Sequence, residues 1–143
     1  MPYLLDTDHL SIVLWGEEPA SSRLVPRLEA IPPDDLATSI VSFQEQVQGW
    51  QAYLNRAKKP AQIVTAYARL EIMWRSFLKM TVLSFGEEAQ SIFTSLRSVT
   101  RGIETMDARI AAIALSTGSV LLTRNTRHFR KVPGLLIEDW TGN

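Results

Sequence analysis

The feature that most constrains this chain is a set of short, mainly apolar runs alternating with helical stretches. The runs are Tyr3-Leu4-Leu5, Leu36 to Val41, Thr81 to Phe85, and Val120 to Thr123. None of them alternates apolar with polar, so each reads as a strand buried on both faces. Between them lie segments with helical spacing, and strand–helix alternation predicts a parallel sheet with helices packed on both sides. A fifth strand is expected within Leu135 to Trp140, after the turn at Pro133-Gly134. In such sheets ligands bind beyond the carboxyl ends of the strands.

The helical segments have recognisable punctuation. Thr7 and Asp8 offer N-caps to a helix carrying Leu10, Val13 and Leu14, which Gly16 to Pro19 ends. A second helix starts at Ser21 or Ser22 and carries Leu24, Leu28 and Ile31. Pro32-Pro33-Asp34-Asp35 makes a turn. A third helix runs from Ser42 to about Ala57 and breaks at Lys58-Lys59-Pro60. The longest spans Ala61 to Lys79, with a main stripe of Ile63, Tyr67, Leu70, Trp74 and Phe77 and a second apolar line of Val64, Ala68 and Ile72. It admits two readings, a central core helix or a subunit or partner interface. Helices are also expected over Gly86 to Arg101 and over Thr105 to Thr117, the latter ended by Gly118.

Composition narrows the function. The 143 residues suit one domain. The absence of cysteine excludes disulfide scaffolds, CxxC zinc sites and thiolate catalysis. The opening residues lack the basic and apolar regions of a signal peptide. The longest apolar run, Ile110 to Leu115, is far short of the roughly 20 residues a membrane span needs, so the expectation is a soluble, cytoplasmic protein with no membrane association. Fifteen basic residues balance fifteen acidic ones, which argues against a protein that coats nucleic acid through bulk charge. The balance is regional, however. Residues 1–71 hold nine acids and six bases, and residues 72–143 hold six acids and nine bases. Arg124, Arg127, Arg130 and Lys131 fall in one short stretch.

The polar residues beyond the strand ends form the candidate site. Asp6 follows the first strand directly, and Thr123, Arg124 and Asn125 lie at the end of the fourth. Glu45 lies in the first turn of the helix after the second strand, and Asp107 in the first turn of the helix feeding the fourth. Three carboxylates brought together repel one another unless a cation joins them. A hard divalent ion with oxygen ligands resolves this and suits metal-assisted hydrolysis of a phosphodiester. Structural readings stand beside these. Asp6 suits a turn or cap, and Asp8 a cap. Ser42 to Glu45 matches a capping box, and Asp107 complements a helix dipole with Thr105 as N-cap. Asp107 shares a helix side with Ile110, Ile113 and Ala114, which aims it toward the sheet. His9 and His128 are isolated and suit packing or surface roles. No HExxH, P-loop or GxSxG pattern is present.

Four segments together resemble a known family. Leu4-Leu5-Asp6-Thr7-Asp8 resembles the opening motif of the PIN-domain nucleases. Ser39 to Glu45 is similar to their second motif, and Glu104 to Ala114 to their third. Leu121 to Phe129, followed by Val132 to Leu135 and Glu138-Asp139-Trp140, is similar to their C-terminal segment. The likeness is strongest to the VapC-type toxins of bacterial toxin–antitoxin pairs and covers essentially the whole chain. It implies a single PIN domain over 1–143, an α/β three-layer fold whose short parallel sheet of four to five strands is covered by helices on both faces. It implies a Mg2+- or Mn2+-dependent endoribonuclease with Asp6, Glu45 and Asp107 as the acidic triad. Asp6 and Asp107 become the principal metal ligands, while Glu45 binds through water or orients the attacking water. Asn125 stands where the family often has a fourth acid and offers a carbonyl oxygen without charge. Thr123, Arg124, Arg127, Arg130 and Lys131 become candidate substrate contacts. A VapB-like antitoxin and a homodimer are implied partners. The rival reading is a catalytically silent PIN-like module that holds RNA or protein without cutting.

Overall fold

A computed structural model describes residues 2–142. Five parallel strands form one sheet in the order β3-β2-β1-β4-β5. The strands are β1 (Tyr3–Leu5), β2 (Leu36–Ser39), β3 (Thr81–Leu83), β4 (Val120–Leu122) and β5 (Ile137–Glu138). The helices are α1 (Thr7–Trp15), α2 (Ala20–Glu29), α3 (Ile40–Arg56), α4 (Pro60–Leu78), α5 (Glu87–Val99), α6 (Thr105–Thr117) and the single turn α7 (Thr126–Phe129). The alternation read from the sequence is therefore the architecture found.

Side-chain alternation along each strand feeds two separate cores. Leu4 of β1, in register with Ala37 and Leu121, joins the core beneath α5 and α6. Leu5, Val120 and Leu122 point the other way, into the core beneath α1, α2 and α4. This is why β1 and β4 are apolar along their whole length. Helix α6 is the most deeply set element, with Ala108, Ile110, Ala111, Ala112, Ile113 and Ala114 all buried. Its small side chains let the backbone approach the sheet closely. It ends where Gly118 adopts φ 64°, a left-handed turn that its N–H closes onto Ala114 and Leu115.

Helix α4 departs from expectation. Its buried residues are Ala66, Met73 and Phe77, while Ile63, Val64, Tyr67, Ile72, Trp74 and Leu78 are exposed. The inward line is 66-73-77 with Leu70 partly buried, one helical step round from the predicted main stripe. The central-core reading is thus overturned for this chain alone, because α4 is covered on one side only. No helix among the described residues is long and apolar enough to cross a membrane.

Candidate active site

Asp6 leaves β1 with its backbone N–H bonded to the Leu122 carbonyl at 3.1 Å. Its side chain, buried, accepts from the His9 backbone N–H at 2.8 Å. Asp6 is therefore the N-cap of α1, the cap reading that the sequence allowed it beside the candidates Thr7 and Asp8. The helix starts one residue earlier than expected because the strand ends in a side chain that can itself cap.

A similar shift affects Glu45. Helix α3 is capped by Ser39, whose Oγ accepts from the Ser42 N–H at 3.1 Å. Ser42 is thus inside the helix, and the Ser42–Glu45 capping box does not exist. Glu45 sits in the second turn instead of the first, free of any capping duty. Its Oε1 accepts a hydrogen bond from the Thr7 hydroxyl, and Thr7 Oγ1 also lies 3.0 Å from Ser42 Oγ. Asp107 lies in the first turn of α6, as expected. The N-cap there is Glu104 rather than Thr105, and it makes no side-chain cap bond. Asn125 donates from Nδ2 to Asp107 Oδ2 at a long 3.4 Å.

The acids act on one another. Burial pushes the Asp107 carboxyl up to about 6, and the charges of Glu45, Asp6 and Glu104 add to this against a small opposing effect of His128. Glu45 is also raised, by burial first and by Asp6 and Glu104 in addition, while the Thr7 hydrogen bond pulls it back. Among the described residues no lysine or arginine pairs with Asp6, Glu45 or Asp107. Nor do any three acidic or imidazole side chains stand close enough to enclose a cation as they are oriented. The donor set nevertheless fits one. It consists of hard oxygens only, the carboxyls of Asp107 and Glu45 are raised by burial and by their acidic neighbours, and no lysine or arginine among the described residues pairs with them.

The basic residues divide. Arg124 donates from Nε and Nη2 to both carboxylate oxygens of Asp8, and Nη2 lies 3.7 Å from Glu17. That bond to Asp8 raises its already high pKa further. Arg124 is thus a strut between α1 and the loop after β4, not a free phosphate contact. Thr123 is fully buried, and its Oγ1 accepts from the Asn125 N–H at 2.9 Å, so it shapes the loop and cannot touch a substrate. Arg127, Arg130 and Lys131 are exposed on and just after α7. Arg109 packs its guanidinium over the Phe93 ring at 5.4 Å.

Two contributors were not singled out as site residues from the sequence: Thr7 orients Glu45, and Glu104 adds a fourth negative charge. His9 is wholly buried, in keeping with a packing role. The His9 Nε2 accepts from the Trp140 backbone N–H at 3.4 Å, and Nδ1 faces Asp6 Oδ1 at 3.6 Å without a hydrogen-bond partner. Thr7 adjoins Asp6 and Glu104 lies three residues before Asp107, so both were within reach of a spacing argument. His9 depends on a contact 131 residues away.

Comparison with known proteins agrees with this fold. A family model described as PIN domain matches residues 3–135. Ribonuclease VapC1 of Haemophilus influenzae strain R2866 is 26% identical over 141 residues, 99% of either chain. The solved structure of VapBC-1 from nontypeable Haemophilus influenzae matches with a TM-score of 0.77 at 24% identity, covering 99% of this chain and 100% of that one. FitAcB from Neisseria gonorrhoeae matches with a TM-score of 0.75 at 24% identity over 96% of each chain. At these identities the solved structures establish a shared fold.

Proposed function

Because the chain belongs to the PIN-domain family, we propose that it is a metal-dependent endoribonuclease of the VapC type, the toxin of a cytoplasmic toxin–antitoxin pair. The observation that carries this is the uncompensated cluster of Asp6, Glu45 and Asp107 at the carboxyl ends of the strands, with Asp107 held near 6 by burial and by its acidic neighbours. The name of the curated relative and its coverage of both chains support the substrate class.

Asp6 and Asp107 would hold Mg2+ or Mn2+ directly, with Glu45 and the Asn125 carbonyl oxygen beside them. A divalent cation bound there supplies Lewis-acid polarisation of the phosphodiester and lowers the pKa of water. The chain's own residues do the rest. The Thr7 hydroxyl fixes Glu45 through Oε1, which leaves Oε2 to accept a proton from the attacking water. Burial and the neighbouring acids raise the affinity of Glu45 for protons, which favours the role of proton acceptor. Asn125 orients the Asp107 carboxylate from Nδ2. Arg127, Arg130 and Lys131 hold flanking phosphates, each contact adding salt sensitivity. A VapB-like antitoxin is the proposed inhibitor and a homodimer the proposed assembly, and the exposed apolar residues of α4 are the proposed contact surface.

The test is cleavage of labelled single-stranded RNA by the purified chain in Mg2+ or Mn2+, in chelator, and with Asp107→Asn. Metal-dependent product is expected, with a loss of at least about 100-fold in the variant. Undiminished cleavage in chelator or by folded Asp107→Asn refutes the assignment. RNA retention without product establishes the silent module, which the neutral Asn125 favours.

A further inference from the structure

Beside the acid cluster lies a cavity of about 360 Å³ that the chemistry above does not use. Trp15, Trp50, Tyr53 and Arg56 line it together with Thr7 and Glu45. The last two belong to both spaces, so the cavity adjoins the acid cluster. We propose that this cavity is a stacking subsite for an unpaired nucleobase of the RNA strand being cut, a reading that rests on the endoribonuclease assignment.

The aromatic wall is braced by ring contacts and hydrogen bonds. Trp15 and Trp50 meet edge to face, with centroids 5.5 Å apart at 79°. Trp50 and Tyr53 meet at 5.5 Å and 67°. The Trp15 indole N–H donates to Gln46 Oε1 at 3.4 Å, and the buried Gln46 amide donates onward to Ser11 Oγ at 2.6 Å. The Arg69 guanidinium lies 4.8 Å from the Trp15 ring centroid. All three aromatic residues are half-buried, so each keeps some surface for a ligand. Fixed aromatic faces of this kind take splayed-out bases of single-stranded RNA without needing sequence-specific hydrogen bonds.

An independent observation concerns Gly49. It lies in the middle of α3, a turn beyond Glu45 and a turn before Tyr53, and it lines the same cavity. Glycine is the poorest residue for a helix interior apart from proline. No backbone turn or close contact requires it, because nothing lies within 4 Å of where a Cβ would stand. The missing side chain keeps the floor of the cavity clear between the acid and the aromatic wall. Arg56 lines the cavity and is exposed, and Arg69 lies against Trp15, so two guanidinium groups stand beside the single carboxylate of Glu45, a balance that suits an anionic chain better than an apolar peptide side chain.

Two variants and one probe series test this on the full chain. Gly49→Leu fills the floor and improves helix propensity, so it blocks the site without unfolding α3. Trp50→Leu removes the stacking face. With single-stranded oligoribonucleotides in Mg2+, both raise KM by roughly 5- to 100-fold while kcat changes much less. One abasic nucleotide next to the cleaved bond does the same to the wild type and adds little to Trp50→Leu. Wild-type KM in Gly49→Leu overturns the proposal, as does an abasic series in which no position matters. Should Trp50→Leu fail to fold, the abasic series and Gly49→Leu decide. Quenching of tryptophan fluorescence by the same strands in chelator reads the subsite without catalysis. Quenching that an abasic strand lacks supports it, and no quenching overturns it. A wild type that quenches but never cleaves refutes the endoribonuclease assignment alone.

Discussion

Asp107→Asn is expected to stabilise the metal-free protein while destroying its activity. The carboxyl is raised from 3.8 to about 6 in the folded state. Between those values the folded chain binds the extra proton, so stability falls as pH rises through that range and the full penalty persists above it. A shift of about 2 units corresponds to ~3 kcal/mol. Solvent screening at a partly exposed group reduces this to ~1–2 kcal/mol. Asparagine has the same shape, keeps an acceptor for Asn125 and carries no charge. In chelator at pH 7.5 the variant should melt about 4–8 °C above the wild type. The gap should shrink steadily as pH falls from about 6 to below about 3.8, where the wild-type carboxyl becomes protonated in both states. Saturating Mg2+ should reverse the order, because the wild type then gains the binding energy of the cation. Circular dichroism melts at three pH values measure all of this. A variant less stable than the wild type at pH 7.5, or a gap that ignores pH, refutes the picture of a site strained by its own charge.

Other substitutions separate roles that proximity alone would merge. Arg124→Ala should change stability by no more than ~1 kcal/mol and leave the salt dependence of RNA binding unaltered, since its guanidinium is spent on Asp8; Arg127→Ala should reduce that salt slope by about 0.7. Phe129→Ala should cost ~3–5 kcal/mol in urea denaturation, because the ring is fully buried and anchors the loop after β4. His9→Ala should cost ~1–3 kcal/mol by leaving the buried Trp140 N–H without its acceptor; an unchanged urea midpoint would show that this contact is idle.

The parts of this molecule legible in its sequence are those governed by local rules. Continuous apolar runs announced a sheet covered twice, and Asp6 and Asp107 stood at ends of elements whose direction followed from the parallel arrangement. The Glu45 position was legible but its context was not. Ser39 and Ser42 are equally able caps, and only the end of β2 decides between them. The same holds for α4, where two apolar lines compete and the neighbouring elements choose. Arg124 was misread because its partner, Asp8, is 116 residues away. Thr123 was misread because nothing in the spacing reveals that its hydroxyl is consumed by the next turn. Trp15, Trp50 and Tyr53 form one wall only once α1 packs on α3, which no single segment discloses.

The dual duty of Asp6, as helix cap and as site carboxylate, has a consequence for how such a chain decays over evolutionary time. Replacement of Asp6 by alanine would remove a proposed metal ligand and also a cap worth ~0.5–2 kcal/mol, leaving a weaker fold and an easier target for proteolysis. Neutralisation of Asp107 would remove the other proposed ligand and relieve repulsion. Drift at the two positions therefore leads to different fates. Loss of Asp6 tends to erase the protein, whereas loss of Asp107 leaves a sturdier chain with its aromatic cavity and basic rim intact, the raw material for a binder that no longer cuts.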